Sequence, residues 1–227
     1  LTDRTFVTLQ GQAQPGDGVA AFPTGGLNSS LSTISRSVRD LTVVGTSLAP
    51  ATAQPSQANV AMLKLDLTAT KGDVSVNSFT VDQAGLAQLG TDFTAMSVYL
   101  DDGDGAFDPT QDTLLVSRGS YSTGSSVTFA LTSFVVQPGT GRALYLTVDI
   151  GSATQMTPGR TVKLQLAAAT SFNVGQDQVL GAFPIASGTT TLADDAPEVE
   201  TGGTLVYNTR VVAKFNEQVT GAATLSN

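Results

Sequence analysis

Short runs in which apolar and polar residues alternate one by one recur along this chain, and they constrain its fold more than any other feature. The clearest runs are 60–67, 144–150 and 161–166, and turn-forming residues separate them. A period of two places alternate side chains on opposite faces of a β-strand. No apolar pattern in the chain keeps a helical period of 3.6 residues for three turns. The sequence therefore predicts an all-β fold.

The alternating runs predict aliphatic rows that face a common core. These rows are Ala61, Leu63, Leu65 and Leu67, with Met62, Lys64 and Asp66 on the opposite face; Leu144, Leu146, Val148 and Ile150; and Val162, Leu164 and Leu166. Aromatic residues make up only 6% of the chain, so aliphatic rows must supply most of the core. Such rows suit two sheets packed about 10 Å apart. The connections are too short for parallel crossovers, which favours an antiparallel β-sandwich.

Further strands are predicted from shorter β-favouring runs. They are 41–44, 74–81, 93–100, 113–117, 127–131 and 134–136. The run 74–81 changes its apolar face midway, which indicates either a bulge or a strand with both faces covered. Residues 83–89 are compatible with one short helical turn, although Gly85 and Gly90 weaken that interpretation.

The pattern divides the chain into three parts. Residues 1–40 are predicted to form an N-terminal arm with a candidate donor strand at 4–9, residues 41–195 the sandwich, and residues 196–227 a C-terminal tail. The tail contains two β-like runs, 204–207 and 211–215. A lone strand is marginal in water. We therefore expect the arms to complete a sheet edge, either within their own chain or on a neighbouring subunit, and the tail could alternatively begin a further domain.

Composition limits the partners and the chemistry that we expect. The net charge of −8 comes from only 13% charged residues, which argues against binding to nucleic acid or to an anionic membrane surface. No apolar run approaches the roughly 20 residues of a membrane span. The chain has no His and no Cys, so the commonest general base and thiol nucleophiles are missing and we expect no catalysis. Because the chain begins with Leu1, we expect a processed, secreted polypeptide.

The acidic segment 101–112 carries the strongest functional signal, with five carboxylates in twelve residues. Anions this close repel one another, and a hard cation such as Ca²⁺, which takes six to eight oxygen ligands, would neutralise them. The predicted ligands are the carboxylates of Asp102, Asp104, Asp108 and Asp112 and the backbone carbonyl of Ala106, with Asp101 as the alternative first ligand. Gly103 and Gly105 would allow the unusual φ angles of a loop wrapped around an ion. The alternative interpretation is a solvated acidic hairpin tip without an ion.

Three weaker signals lie elsewhere. A second acidic run, Asp194, Asp195, Glu198 and Glu200, is predicted first as a solvated linker and otherwise as another ion site. Asn28 begins a glycosylation acceptor pattern. Asp149 follows an apolar row, where it could support the calcium shell or hydrogen-bond a turn.

The region from about 48 to 192 resembles an immunoglobulin-like β-sandwich module of large bacterial and archaeal cell-surface proteins. The residues that carry the resemblance are Val60-Ala61-Met62-Leu63-Lys64-Leu65, Val74 to Val81, Val98-Tyr99-Leu100-Asp101-Asp102-Gly103-Asp104-Gly105, Phe107-Asp108-Pro109, Asp112-Thr113-Leu114-Leu115 and Leu144 to Ile150. The resemblance implies a calcium loop and a structural or adhesive unit without catalysis. The run 211–219 is similar to the opening strand of another such domain.

Together these features predict a secreted structural protein. We expect a subunit of an extracellular filament or surface layer, assembled from copies of itself by β-strand addition and rigidified by calcium. The alternative is an adhesin or carbohydrate-binding module of a larger cell-surface protein, with a glycan or cell-surface partner.

Overall fold

The computed structural model describes residues 38–194 in full and the backbone of two further strands at 199–207 and 210–215. The chain divides after residue 36 into two units, and all described residues lie in the second. Within these ranges the chain forms strands and turns with one 3-10 turn and no α-helix. The predicted all-β class is confirmed.

Eighteen strands are found within the described ranges. In chain order they are β1 Asp40–Ser47, β2 Thr52–Ala53, β3 Val60–Ala69, β4 Val74–Ser75, β5 Ser78–Gln83, β6 Phe93–Leu100, β7 Thr113–Arg118, β8 Ser126–Ala130, β9 Val135–Val136, β10 Arg142–Ile150, β11 Thr161–Val162, β12 Leu164–Leu166, β13 Phe172–Asn173, β14 Gln178–Leu180, β15 Ile185–Ala186, β16 Thr190–Leu192, β17 Val199–Tyr207 and β18 Arg210–Phe215. The 3-10 turn is Ala169–Ser171.

Two main sheets form a β-sandwich. The first has six strands in the order β14-β1-β3-β10-β6-β7. The second has five, in which β5 pairs with β8 on one side and with β12 and β13 on the other, and β12 continues to β15. Smaller sheets of β11-β16-β2 and β4-β9 complete the domain. The immunoglobulin-like topology stays a prediction.

The pairing is mostly but not wholly antiparallel, which corrects the sequence prediction. β1 runs parallel to β14, and β2 runs parallel to β16. Each of these pairs joins strands more than a hundred residues apart in sequence. Short connections exclude parallel pairing only between strands that follow each other in the chain. They say nothing about strands far apart in sequence, so these two pairs could not be predicted.

The core lies between the two main sheets and is built from the predicted rows. Leu144, Leu146 and Val148 on β10 are fully buried, and so are Val162, Leu164 and Leu166. Each fully buried side chain of this size contributes roughly 1.5–3 kcal/mol to folding. The rows of β10 and of residues 161–166 are therefore confirmed, although the second row is shared between β11 and β12.

The row predicted on β3 is interrupted by a β-bulge. The register with β10 shifts between Leu146 and Thr147, so Leu63 pairs with Leu146 whereas Ala61 pairs with Thr147. Met62 is fully buried and Ala61 is not. The placement of Ala61 in the core row and of Met62 opposite was therefore wrong, because the extra residue reverses the alternation.

The run 74–81 is broken into two strands. β4 pairs with β9, and β5 pairs with β8, β12 and β13. At the break the N–H of Val76 donates to the carbonyl of Phe134 and the N–H of Asn77 to that of Asn173. The change of apolar face therefore marks the point where the chain changes partners, with Val76 and Phe79 buried on either side of it.

The helical turn considered for 83–89 does not form. The N–H groups of Ala84 and Ala87 donate to the carbonyls of Lys163 and Thr161, so the segment lies beside residues 161–163 and makes no helical bonds of its own. The buried amide of Gln83 holds it there by donating to the carbonyl of Ala87 and accepting from the N–H of Lys163. These tertiary bonds override the weak local helix preference.

The two β-like runs of the C-terminal tail form a hairpin, β17 with β18. They are paired with each other and are not the separate unpaired segments that we predicted. The predictions for residues 1–37, including the donor strand 4–9 and Asn28, lie outside the described residues, as do the side chains of Asp195, Glu198 and Glu200. No helix in the described ranges is long and apolar enough to cross a bilayer.

Candidate metal centre

The acidic loop 101–112 joins two adjacent antiparallel strands at one edge of the six-stranded sheet. β6 ends at Leu100, and β7 begins at Thr113, which is its partner across the pair. The loop is thus the tip of a β connection, as predicted. Its two ends are held together by the ladder of a sheet, so its carboxylates are confined to a small volume.

Asp112 is the innermost carboxylate of the loop, with a relative exposure of 7%. Its Oδ1 accepts the N–H of Asp102 at 3.1 Å and its Oδ2 accepts the N–H of Asp108 at 2.9 Å. Its own N–H donates to the carbonyl of Asp108 at 2.8 Å. This side chain therefore ties the beginning, the middle and the end of the loop to one another.

Three carboxylates converge on one point. One oxygen from each of Asp101, Asp102 and Asp112 lies within 4.8 Å of the other two. Two unit charges 4 Å apart repel by about 4 kcal/mol at an effective dielectric near 20, so a cation between them would be strongly favoured. The donors are oxygens only, which suits a hard ion. These three side chains could hold a metal ion. Asp101, which the sequence offered only as the alternative first ligand, lies in this group beside Asp102.

Asp104 and Asp108 lie outside that group of three. Asp104 accepts the N–H of Ala106 at 2.7 Å. Asp108 accepts from the side chain of Gln111 at 2.8 Å and from the hydroxyl and the N–H of Thr110 at 2.7 and 2.8 Å. The bonds from Gln111 and then Thr110 lower the pKa of Asp108. Both aspartates thus shape the loop backbone, and their direct ligation, with that of the Ala106 carbonyl, stays a prediction.

The two glycines of the loop adopt the backbone conformation that was expected of them. Gly103 has a φ of +113° and Gly105 a φ of +79°. These angles strain residues with a Cβ. They allow the N–H of Asp104 to reach the carboxylate of Asp102 and the N–H of Gly105 to reach that of Asp101, each at 3.1 Å. The residues present therefore fit an oxygen-coordinated ion.

An aromatic cluster anchors the loop to the outer face of the sheet. The ring of Phe107 lies 5.3 Å from the rings of both Tyr99 and Tyr145, which are opposite each other on β6 and β10. The Tyr145 hydroxyl donates to Asp101 at 3.1 Å. Burial raises the pKa of Tyr145, and the bond to Asp101 raises it further. Phe107 thus packs the acidic loop against the sheet through apolar contacts.

Lys64 is a cation that contacts the loop backbone. Its Nζ donates to the carbonyl of Gly105 at 3.3 Å, pairs with Asp66 at 3.4 Å and lies 5.8 Å from the Tyr145 ring centre. Sequence analysis did not assign Lys64 or Tyr145 to the site. The available signal was positional, since the two residues are direct partners across β3 and β10.

Asp149 hydrogen-bonds a turn, which is one of the two roles that the sequence predicted for it. Its Oδ1 accepts the N–H of Asn59 at 2.7 Å, and Asn59 has a positive φ of 52°. The side-chain oxygen of Asn59 in turn accepts the hydroxyl of Tyr99 at 2.8 Å. Asp149 is not among the three carboxylates that converge in the acidic loop.

Asp92 forms a second, fully buried carboxylate site that the sequence analysis missed. Its oxygens accept the N–H groups of Gln88 and Thr157, both at 2.7 Å, and the Nη1 of Arg160 at 2.8 Å. Burial opposes its ionisation, but the bonds from Arg160, Gln88 and Thr157 outweigh that effect and hold the pKa of Asp92 below its usual value. Both oxygens have partners from distant parts of the chain, so the site joins distant loops.

A surface groove of about 340 Å³ runs beside the acidic loop. It is lined by residues of both charges, among them Lys64, Asp66, Asp101, Asp104 and Arg142. The second half of β3, the start of β10 and the acidic loop line it together. The groove therefore places hydrogen-bonding groups and the candidate metal centre side by side.

No family model matches this chain, and no curated protein matches it either. Among solved structures, the β-sandwich resembles part of a microbial sialidase described as Hadza microbial sialidase Hz136. The superposition has 9% sequence identity and a TM-score of 0.42, and it covers 66% of this chain and 31% of that one. A likeness of this degree carries no functional inference.

Proposed function

We propose that this chain is a non-catalytic, secreted structural module, a subunit of an extracellular filament or surface layer. Its sandwich is immunoglobulin-like, calcium in the acidic loop rigidifies it, and copies of the chain assemble by β-strand addition. The observation that carries the proposal is the convergence of Asp101, Asp102 and Asp112 at the closed end of a β pair. An ion held there would tie strands that are already adjacent, which increases rigidity rather than causing movement.

Calcium is proposed because of the chemistry of the donors. The loop offers carboxylate and carbonyl oxygens and no nitrogen or sulfur ligand, and Ca²⁺ accepts six to eight such oxygens in a tolerant geometry. Asp101, Asp102 and Asp112 would hold the ion, with Asp104, Asp108 and the Ala106 carbonyl as the remaining predicted ligands.

Assembly by strand addition is supported by the edges of the sandwich. β14 and β7 border the six-stranded sheet, while β8, β13 and β15 border the five-stranded one. Such edges present backbone groups that can pair with another chain. The β-favouring segment at residues 5–9, Thr5-Phe6-Val7-Thr8-Leu9, precedes the sandwich and is a suitable donor.

The calcium proposal is tested by thermal unfolding with calcium and with a chelator. At a calcium concentration about one hundred times the Kd, binding stabilises the folded state by about 2.7 kcal/mol. For a domain of 150–250 residues this corresponds to a rise in Tm of roughly 5–11 °C. Asp112→Asn should abolish the rise, and Asp104→Ala should abolish it too if Asp104 is the direct ligand that the sequence predicts.

Asp73→Asn is the matched control, because it removes one exposed negative charge outside the loop. It should keep the full calcium response. An equal Tm with calcium and with chelator in the unmodified protein would refute the calcium proposal. Electron microscopy of the same protein tests assembly, with filaments or sheets expected and monomers expected after deletion of residues 1–30.

The groove beside the loop supports a second candidate function, glycan binding by an adhesin or carbohydrate-binding module. Sugar hydroxyls could bind both the ion and the charged groups of Lys64 and Arg142 that line the groove. A glycan array probed with monomeric protein tests this function. Binding that is lost with chelator and in Arg142→Ala would favour it, whereas an array without any hit would reject it.

A further inference from the structure

One edge of the six-stranded sheet is only partly covered. β1 pairs with β3 along Leu41 to Ser47, but its other side pairs with β14 only from Asp40 to Thr42. The pairing ends at Leu180, although Gly181 still lies beside the Val43 carbonyl, and no strand in the described ranges continues it. Residues 44–48 are all exposed. A stretch of about four residues of β1 therefore forms an open edge.

The backbone groups that face this edge can be identified from two hydrogen bonds. The carbonyl of Arg39 accepts the N–H of Gln178, so odd-numbered residues of β1 face β14. The N–H of Leu48 donates to Met62, so even-numbered residues face β3. Alternation along the strand then directs the N–H and the carbonyl of Gly45 towards the open edge. Within residues 38–194 the Gly45 backbone has no hydrogen-bond partner on that side.

The surroundings of the edge suit an added strand. A groove of about 320 Å³ continues the line of β14 and is lined by uncharged residues, on one side 42–45 and on the other Gly181, Ala182 and 184–186. Val44 and Leu180 beside it are 55% and 39% exposed. Neither a charge nor a proline protects residues 43–47, although natural proteins commonly guard open edges in this way.

We propose that this edge of β1 is the acceptor site for residues 5–9 of a second copy of the chain. The inference rests on the proposed function and specifies its interface. The far end of the edge is closed by Gly188, whose N–H donates to the Ser47 hydroxyl at 2.6 Å, so about four acceptor residues remain. The five residues 5–9 match that length, carry no charge and favour the β conformation.

The chain outside the described sandwich is long enough for this exchange. Residues 10–37 separate the donor segment from the described domain. Backbone geometry allows these 28 residues to span at most about 100 Å, which reaches well beyond one domain of this size. A donor attached to one subunit can therefore reach β1 of the next.

Disulfide trapping tests the proposal cleanly because the chain contains no cysteine. One preparation carries Val44→Cys, and the others carry a single cysteine at one of residues 5 to 9. After mixing, assembly and mild oxidation, interchain disulfides should form with Val44→Cys at alternate positions of the donor, since alternate side chains share a face. Leu114→Cys on the edge strand β7 is the matched control, with 50% exposure against 55% for Val44. It should give no interchain product.

The assignment is supported if interchain disulfides form between Val44→Cys and every second donor position, and if none forms with Leu114→Cys. Equal trapping at both edges, or trapping without alternation, would overturn it. Disulfides formed only within one chain, in variants that carry both cysteines, would also overturn it, because the arm would then complete its own sheet. Filaments seen in the same samples without trapping would refute this edge while leaving assembly intact, whereas samples with neither would refute both proposals.

Discussion

Replacing Asp92 by alanine should be among the most damaging single changes to the sandwich. The substitution removes two short bonds to the backbone N–H groups of Gln88 and Thr157 and the ion pair with Arg160. A hydrogen bond to a charged group contributes about 1.5–3 kcal/mol, and the partly exposed Arg160 adds up to about 1 kcal/mol. Water entering the space offsets part of the loss, so we expect a decrease in unfolding free energy of about 3–5 kcal/mol.

The effect should depend on pH in a defined direction. The bonds to Asp92 hold its pKa below the ordinary value of 3.8 in the folded state. A carboxyl group with a lowered folded-state pKa stabilises the protein at pH values above its ordinary pKa, and this contribution is lost as pH falls towards the folded-state value. The difference in stability between the unmodified protein and Asp92→Asn should therefore be constant near neutral pH and shrink below about pH 4.

Urea unfolding followed by circular dichroism measures both effects. The expected loss corresponds to a decrease in Tm of about 6–20 °C for a domain of this size. Asp40→Ala is the matched control, because its partner Lys71 is 58% exposed and a surface pair contributes at most about 1 kcal/mol. If Asp92→Ala costs no more than Asp40→Ala, the buried network does not stabilise the fold as argued.

Two further predictions concern packing. Phe107→Ala should lower calcium affinity and loosen the acidic loop, because it removes the ring that packs on Tyr99 and Tyr145. Isothermal titration calorimetry measures the affinity, and an unchanged Kd would contradict the anchoring role. Gly85→Ala should destabilise the domain by roughly 1–3 kcal/mol, since its Cβ would overlap the Thr161 carbonyl oxygen. Gly141→Ala is the control, because its Cβ would meet only ordinary van der Waals contacts, and its Tm in thermal unfolding should be nearly unchanged.

The rows of the central strands could be predicted because burial there depends on local alternation alone. Leu144, Leu146 and Val148 are fully buried along β10, and the extra residues at its register shifts belong to the neighbouring strands β3 and β6. The bulge at Met62 could not be predicted, because one extra residue changes the register without changing the composition. The parallel pairing of β1 with β14 was equally hidden, since it depends on contacts between residues far apart in sequence.

The place of the acidic loop could be predicted, but not the convergence of its oxygens. Five carboxylates and two glycines between two apolar runs are visible in the sequence. Which of them meet depends on side-chain rotamers and on the bonds from Asp112 to the loop backbone. Asp92 shows the same limit more strongly, because Thr157 and Arg160 lie 65 and 68 residues away along the chain.

The break between β4 and β5 affects how the domain unfolds. One continuous run of chain changes pairing partners at Val76 and Asn77, and a second run does so between β11 and β12. These crossing segments tie the five-stranded sheet to the two smaller sheets, β4-β9 and β11-β16-β2. Amide exchange in the five-stranded sheet and in the two smaller sheets should therefore report one shared opening event.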